Sequence, residues 1–236
     1  YRPTLKSTFT RSDFVKVHGE KIRTLVEKEK APKLASILGR FVMEAGISMN
    51  PEVLRQQVLD KKLNPEVRAS NLRSLLSLND PTDNEIITRL IEDKSGLVRS
   101  VGYAGLLERE VENSLEKAVL AVKEDDPVVA RSIFEVLSNR KPQVLIDIWK
   151  MRELDLRNEL WLDLYQALST SQDEEARQVA ATYAAGDPGR IHALSLQGGN
   201  PSSGELVFRN QGACLQCHKI DGQGGEQGPE LSLVGD

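Results

Sequence analysis

Apolar residues recur at three- and four-residue spacing through nearly all of the chain before residue 186. That period corresponds to one face of an α-helix, and the alternation typical of a half-buried strand is scarce. The pattern therefore predicts an all-α array of amphipathic helices. Residues 1–48 fit two such helices, although their apolar positions do not fall in phase with those that follow.

The middle of the chain repeats itself every 31 residues. The phrase Asn-Pro-Glu-Val-Arg at 64–68 returns as Ser-Gly-Leu-Val-Arg at 95–99 and as Asp-Pro-Val-Val-Ala at 126–130. Asn or Asp followed by Pro is a typical start of a helix. Three columns of apolar positions keep the same register: Val67, Val98, Val129 and Leu160; Leu72, Tyr103, Phe134 and Tyr165; Leu75, Leu106, Leu137 and Leu168.

Partner helices are predicted between these repeated helices, at about 83–92, 114–123 and 142–154. A unit of two short helices cannot bury its own apolar face, whereas stacking on neighbouring units can. The repeated phrase over residues 50–170 resembles HEAT-type repeats. The resemblance implies an α-solenoid of helix pairs.

Glycine and proline mark the end of this pattern. Gly-Asp-Pro-Gly at 186–189 should break a helix, and Gln-Gly-Gly-Asn-Pro-Ser-Ser-Gly at 197–204 has the composition of a linker. We therefore predict a helical repeat array over residues 1–196, a linker over 197–203 and a small C-terminal segment over 204–236.

The chain has two cysteines, and both lie in Cys214-Leu215-Gln216-Cys217-His218. Thiols three residues apart fall on about one helical turn and can reach the two vinyl groups at one edge of a porphyrin. The histidine that follows can then ligate the iron. Half of a zinc site and a redox-active dithiol remain alternatives, although zinc needs about four ligands and a thioredoxin-like pair needs a βαβ setting.

The residues around this motif resemble c-type cytochromes: Gly204 and Phe208 before it, then Gly222, Gly224 and Gly225, then Gly228-Pro229-Glu230-Leu231. The resemblance implies haem c held by Cys214 and Cys217, with His218 as the iron ligand. It also implies that the loop at Pro229 packs against His218 and accepts its second ring N–H. Residues 204–236 would then be the N-terminal part of a cytochrome c domain.

The complete arrangement is similar to the haem-binding region of exported planctomycete and verrucomicrobial proteins. In those proteins a sugar-dehydrogenase-like propeller precedes helical repeats and a small cytochrome. The resemblance implies a periplasmic or extracytoplasmic location and electron transfer from an attached or partner dehydrogenase domain. The helical array would serve as a spacer and docking scaffold. The alternative is a protein-interaction scaffold with no haem in this fragment.

Such cytochromes usually supply a distal methionine well after the Gly-Pro-x-Leu segment. The methionines here are Met43, Met49 and Met151, all in the helical array, and the sequence ends five residues after Leu231. We therefore hypothesise that this fragment holds no haem by itself even though a longer parent protein does. His192 could be a distal ligand, but a lone histidine in such a stretch is more often solvated.

Composition narrows the remaining classes of function. A net charge of −4 gives no electrostatic case for nucleic acid, and no apolar run approaches the length of a membrane span. No independent catalytic site stands out. We expect Arg68 and Arg99 to form a solvent-exposed ladder with acids of neighbouring repeats, and Trp149 and Trp161 to pack within the array.

Overall fold

The computed structural model describes residues 11–29, 31–47, 49–124, 126–150, 156–187, 189–198 and 201–234. The fold over these residues is mostly helical, as the apolar period predicts. The helices are α1 Arg11–Lys28, α2 Pro32–Ala45, α3 Pro51–Leu59, α4 Pro65–Ser77, α5 Asn84–Leu90, α6 Gly96–Glu108, α7 Ser114–Glu124, α8 Pro127–Arg140, α9 Pro142–Lys150, α10 Trp161–Thr170, α11 Glu174–Gly186, α12 Gly189–Gln197 and α13 Pro201–Leu206. Two short strands, β1 Lys219–Ile220 and β2 Gln223–Gly224, follow.

The helices of the repeat begin where the sequence predicts. In α3, α4 and α8 the side chain of Asn50, Asn64 or Asp126 accepts a hydrogen bond from the amide two residues later, and a proline occupies the first helical turn. These caps satisfy amides that have no partner inside the helix. The starts of α4, α6 and α8 keep the 31-residue spacing.

Helices one repeat apart pack on each other in chain order. Helix α2 contacts α4, α4 contacts α6, α6 contacts α8 and α8 contacts α10, while α3, α5, α7 and α9 pack beside this row. Eleven of the twelve repeat-column residues are buried and Tyr165 is half-buried. Each buried Leu, Val or Phe side chain stabilises the folded state by roughly 1.5–3 kcal/mol. The buried columns therefore supply a large part of the stability of the array.

The predicted solvent exposure of Arg68 and Arg99 is wrong, because Arg68 is buried and Arg99 is half-buried, although Arg68 does pair with an acid as predicted. Arg68 is only 4% exposed, and its guanidinium lies 2.7 Å from one carboxylate oxygen of Asp93 and 3.1 Å from the other. It also donates to the Val58 carbonyl at the end of α3. Arg99 donates similarly to the Asp93 carbonyl, at 2.7 Å. The end of a helix leaves carbonyls without partners, and Arg68 satisfies one of them at the end of α3.

The flanks of the array agree with the sequence except at the linker. Two helices, α1 and α2, lie in the N-terminal region, and α11 ends at Gly186 as predicted. The predicted linker 197–203 is not irregular throughout, because α13 begins at Pro201, a residue suited to a first helical turn. The predicted end of the third partner helix, 151–154, lies outside the described residues.

The predicted packing of the tryptophans is confirmed. Trp149 is buried and its ring centroid lies 5.9 Å from that of Trp161 and 5.0 Å from that of Tyr183. Within the described ranges, no helix combines the length and apolar character needed to cross a bilayer.

Candidate functional site

A change of helix type precedes the Cys-x-x-Cys-His motif. Helix α13 continues into a π-helical turn, Val207–Gln211, closed by a hydrogen bond from the Gly212 amide to the Val207 carbonyl at 2.7 Å. Ala213 then adopts a left-handed conformation with φ of 53°. This residue turns the chain before the 3₁₀ turn Cys214–Gln216 begins.

The two cysteines and the histidine share a single turn. The amides of Cys217 and His218 both donate to the Cys214 carbonyl, at 3.2 and 2.9 Å. Cys214 is half-buried, Cys217 is exposed, and both thiols are free. The structure therefore places the two cysteines about one turn apart along the backbone.

The imidazole of His218 is held by the loop that contains Pro229. Its Nδ1 lies 3.0 Å from the Pro229 carbonyl oxygen. A carbonyl can only accept a hydrogen bond, so Nδ1 must carry the proton, and in the neutral imidazole Nε2 then has a free lone pair. The structure thus brings together all four sequence-predicted site residues, Cys214, Cys217, His218 and Pro229.

Gly228 allows this loop to approach the histidine ring closely. A Cβ atom at Gly228 would lie 2.6 Å from both Cε1 and Nδ1 of His218. The Gly228 amide also donates to the Cys217 carbonyl at 2.6 Å. Close approach to the ring therefore requires glycine at this position. The sequence motif included Gly228, but the sequence alone did not show why glycine is needed there.

A short hairpin connects the motif to this loop, and sequence reasoning missed it. Strands β1 and β2 pair antiparallel through Asp221 and Gly222, whose φ angles are 51° and 73°. Asp-Gly is a strong signal for a two-residue hairpin turn and could have predicted it. The Gly225 amide donates to the Leu215 carbonyl at 2.8 Å, so the hairpin packs back onto the motif.

Residues after Pro229 close the loop onto the hairpin. The Leu231 amide donates to the Lys219 carbonyl at 2.9 Å, and the Asp221 amide donates to the Ser232 hydroxyl at 2.6 Å. That hydroxyl donates in turn to Glu230, and the bond holds the pKa of the Glu230 carboxyl below its ordinary value. The Pro229 carbonyl is therefore fixed from both sides.

Gln227 is a second residue that sequence reasoning missed. Its Oε1 lies 3.7 Å from Cys217 Sγ, while Cys214 Sγ lies 3.6 Å from the Gly212 carbonyl oxygen. Both contacts are weak thiol hydrogen bonds, and neither engages a base that would activate the sulfur. His192 lies exposed on α12, and Met49 is buried in the array.

The chain shows no match to any family model, curated protein or solved structure. Within the described residues, no group of three or more His, Cys, Asp and Glu side chains converges as a metal-ion site.

Proposed function

We propose that residues 204–236 belong to a c-type cytochrome domain in which Cys214 and Cys217 hold haem covalently and His218 ligates its iron. The observation that carries this proposal is the 3.0 Å contact between His218 Nδ1 and the Pro229 carbonyl. It selects the tautomer in which Nε2 can bind a metal, and a carbonyl in this position is a common way of orienting a ligating histidine. The same turn carries both thiols.

Each residue of this site has a distinct role in the proposal. The thiols of Cys214 and Cys217 would add to the two vinyl groups of haem, and the resulting thioether bonds would tether the porphyrin without a deep pocket. Pro229 and Gly228 hold the imidazole in one orientation, and the hairpin fixes the loop. Haem, when bound, supplies an iron centre that takes up and releases single electrons.

The helical array is proposed as a HEAT-like α-solenoid that serves as a spacer and docking scaffold. Support comes from the 31-residue spacing of α4, α6 and α8, the ordered packing of helices one repeat apart, and the buried apolar columns. Such arrays present extended surfaces to partners. In this proposal an attached or partner dehydrogenase supplies electrons, and the protein works in the periplasm or at another extracytoplasmic location.

The test is to purify the full-length gene product from a host that attaches c-type haem. We expect haem to stay on the polypeptide through denaturation, with an absorption spectrum typical of two thioether bonds. Cys214→Ser should leave one thioether at this site and shift that spectrum, and the double variant with Cys217→Ser should lose the haem bound covalently to residues 204–236. A colourless product with both thiols free would contradict the proposal and leave the scaffold as the functional part.

A further inference from the structure

Ser232 joins the loop that orients His218 to the turn of the hairpin. Its hydroxyl accepts a hydrogen bond from the Asp221 amide at 2.6 Å and donates to the Glu230 carboxylate. The Ser232 amide donates to the same carboxylate oxygen at 3.1 Å. One side chain therefore connects the Asp-Gly turn of the hairpin with the segment that follows Pro229.

Backbone hydrogen bonds hold the loop on both sides of Pro229. The Gly228 amide donates to a carbonyl of the Cys-x-x-Cys-His turn at 2.6 Å, and the Leu231 amide donates to a carbonyl of β1 at 2.9 Å. The donors and acceptors of these two bonds belong to the backbone and do not depend on a side chain. The tie between Ser232 and Asp221 differs, because it needs the serine hydroxyl.

The Glu230 carboxylate fixes the direction of this hydroxyl. A serine hydroxyl has one hydrogen and two lone pairs, and it rotates to suit its partners. Its hydrogen points to a carboxylate, which forms a stronger hydrogen bond than a neutral acceptor does. A lone pair of the Ser232 oxygen is therefore left for the Asp221 amide.

We propose that Ser232 is a positioning residue that acts through the Pro229 loop on the ring of His218. Its hydroxyl keeps the loop against the hairpin, and the Pro229 carbonyl then stays 3.0 Å from Nδ1. The proton is held at Nδ1, and Nε2 keeps the lone pair with which it can bind a metal. The role toward haem iron rests on the proposed function, whereas the effect on the ring does not require haem.

Nitrogen-15 NMR of the full chain without haem measures this effect. In Ser232→Ala, the ratio of the His218 tautomer protonated at Nε2 to that protonated at Nδ1 should rise roughly two- to fivefold, the upper value corresponding to complete loss of one hydrogen bond. The Asp221 amide should exchange with solvent about fivefold faster for the same reason. Ser232→Thr keeps a hydroxyl at an exposed position and should restore both values. Glu230→Leu leaves the hydroxyl but removes its acceptor, so it should give a smaller rise.

The matched control is Ser169→Ala on α10, which removes a hydroxyl that donates to a carbonyl of its own helix. It should leave the tautomer ratio of His218 unchanged. The Gly225 and Leu231 amides donate to carbonyls of the motif and of β1, so their protection from exchange shows whether the hairpin and the loop stay folded.

An unchanged tautomer ratio in folded Ser232→Ala, or no recovery in the threonine variant, would overturn the proposal. If Ser232→Ala loses the protection of the hairpin amides, Glu230→Leu decides in its place, and a wild-type ratio in that variant would overturn the proposal. A full-length gene product that carries no haem would contradict the proposed function alone, because the NMR result does not involve haem.

Discussion

Replacing Gly228 by Ala should release the histidine from its loop. The new Cβ would lie 2.6 Å from Cε1 and Nδ1 of His218, whereas ordinary carbon contacts begin near 3.4 Å. The ring must therefore withdraw by roughly 1 Å from the loop. The 3.0 Å contact between Nδ1 and the Pro229 carbonyl then lengthens beyond hydrogen-bonding range.

The magnitude follows from the value of that hydrogen bond. An intramolecular hydrogen bond contributes about 1 kcal/mol net, which corresponds to about a fivefold change in an equilibrium. In the wild-type protein the bond favours the tautomer protonated at Nδ1. The alanine variant should lose that bias, so the ratio of the tautomer protonated at Nε2 to the tautomer protonated at Nδ1 should rise by about this factor.

Nitrogen-15 NMR of the histidine rings measures the tautomer directly, and it requires no haem. The chain has three histidines, so the signals of His18 and His192 serve as internal references for His218. Gly204→Ala is the matched control, because no described atom lies within 4 Å of the added Cβ and alanine suits a helix. A wild-type His218 protonated mainly at Nε2, or a tautomer ratio unchanged in the Gly228 variant, would refute the reasoning.

Three further predictions concern the stability of the array, each measured by denaturant unfolding. Leu106→Ala should lower the free energy of unfolding by about 2–5 kcal/mol, because Leu106 is 1% exposed. Leu120→Ala, at a position that is 55% exposed, should lower it by less than about 0.5 kcal/mol, and equal losses in the two variants would contradict the assigned core. Arg68→Met should lower the free energy of unfolding by about 3–5 kcal/mol, because the buried Asp93 carboxylate loses its arginine partner and, among the described residues, keeps only the hydrogen bond from the Ser95 amide; a change below about 1 kcal/mol would show the pair to be exposed. Burial raises the pKa of Asp93, but hydrogen bonds, led by the one from Arg68, outweigh burial and hold the pKa below its ordinary value. As the pH falls, the unfolded chain therefore binds a proton at Asp93 before the folded chain does. The free energy of unfolding should fall below about pH 4, and it should fall by less in the Arg68 variant.

Local features of the sequence predicted the helices and the chemical motif. The apolar period, the Asn-Pro and Asp-Pro starts and the break at Gly186 involve residues within a few positions of each other, so they could be recognised directly. The spacing of Cys214, Cys217 and His218 is also local, and the structure keeps these residues on one turn.

Contacts between distant residues were harder to foresee. Arg68 looked like a surface residue because its repeat position does not show that the end of α3 and Asp93 meet there. The hairpin turn was missed because strands of two residues are too short to show a period. Only the assembled fold shows that α2 lacks a second described neighbour in its row, although its apolar face is visible in the sequence.

The sequence by itself determined the helical period, the repeat and the chemistry that two thiols and an imidazole could perform. The tertiary structure decided which charges are buried, which apolar face stays exposed, and which imidazole nitrogen is left able to bind a metal. That division has a physical reason: helix formation and spacing depend on neighbours along the chain. The partner of His218, in contrast, is a carbonyl eleven residues away that reaches the ring only because the hairpin folds back.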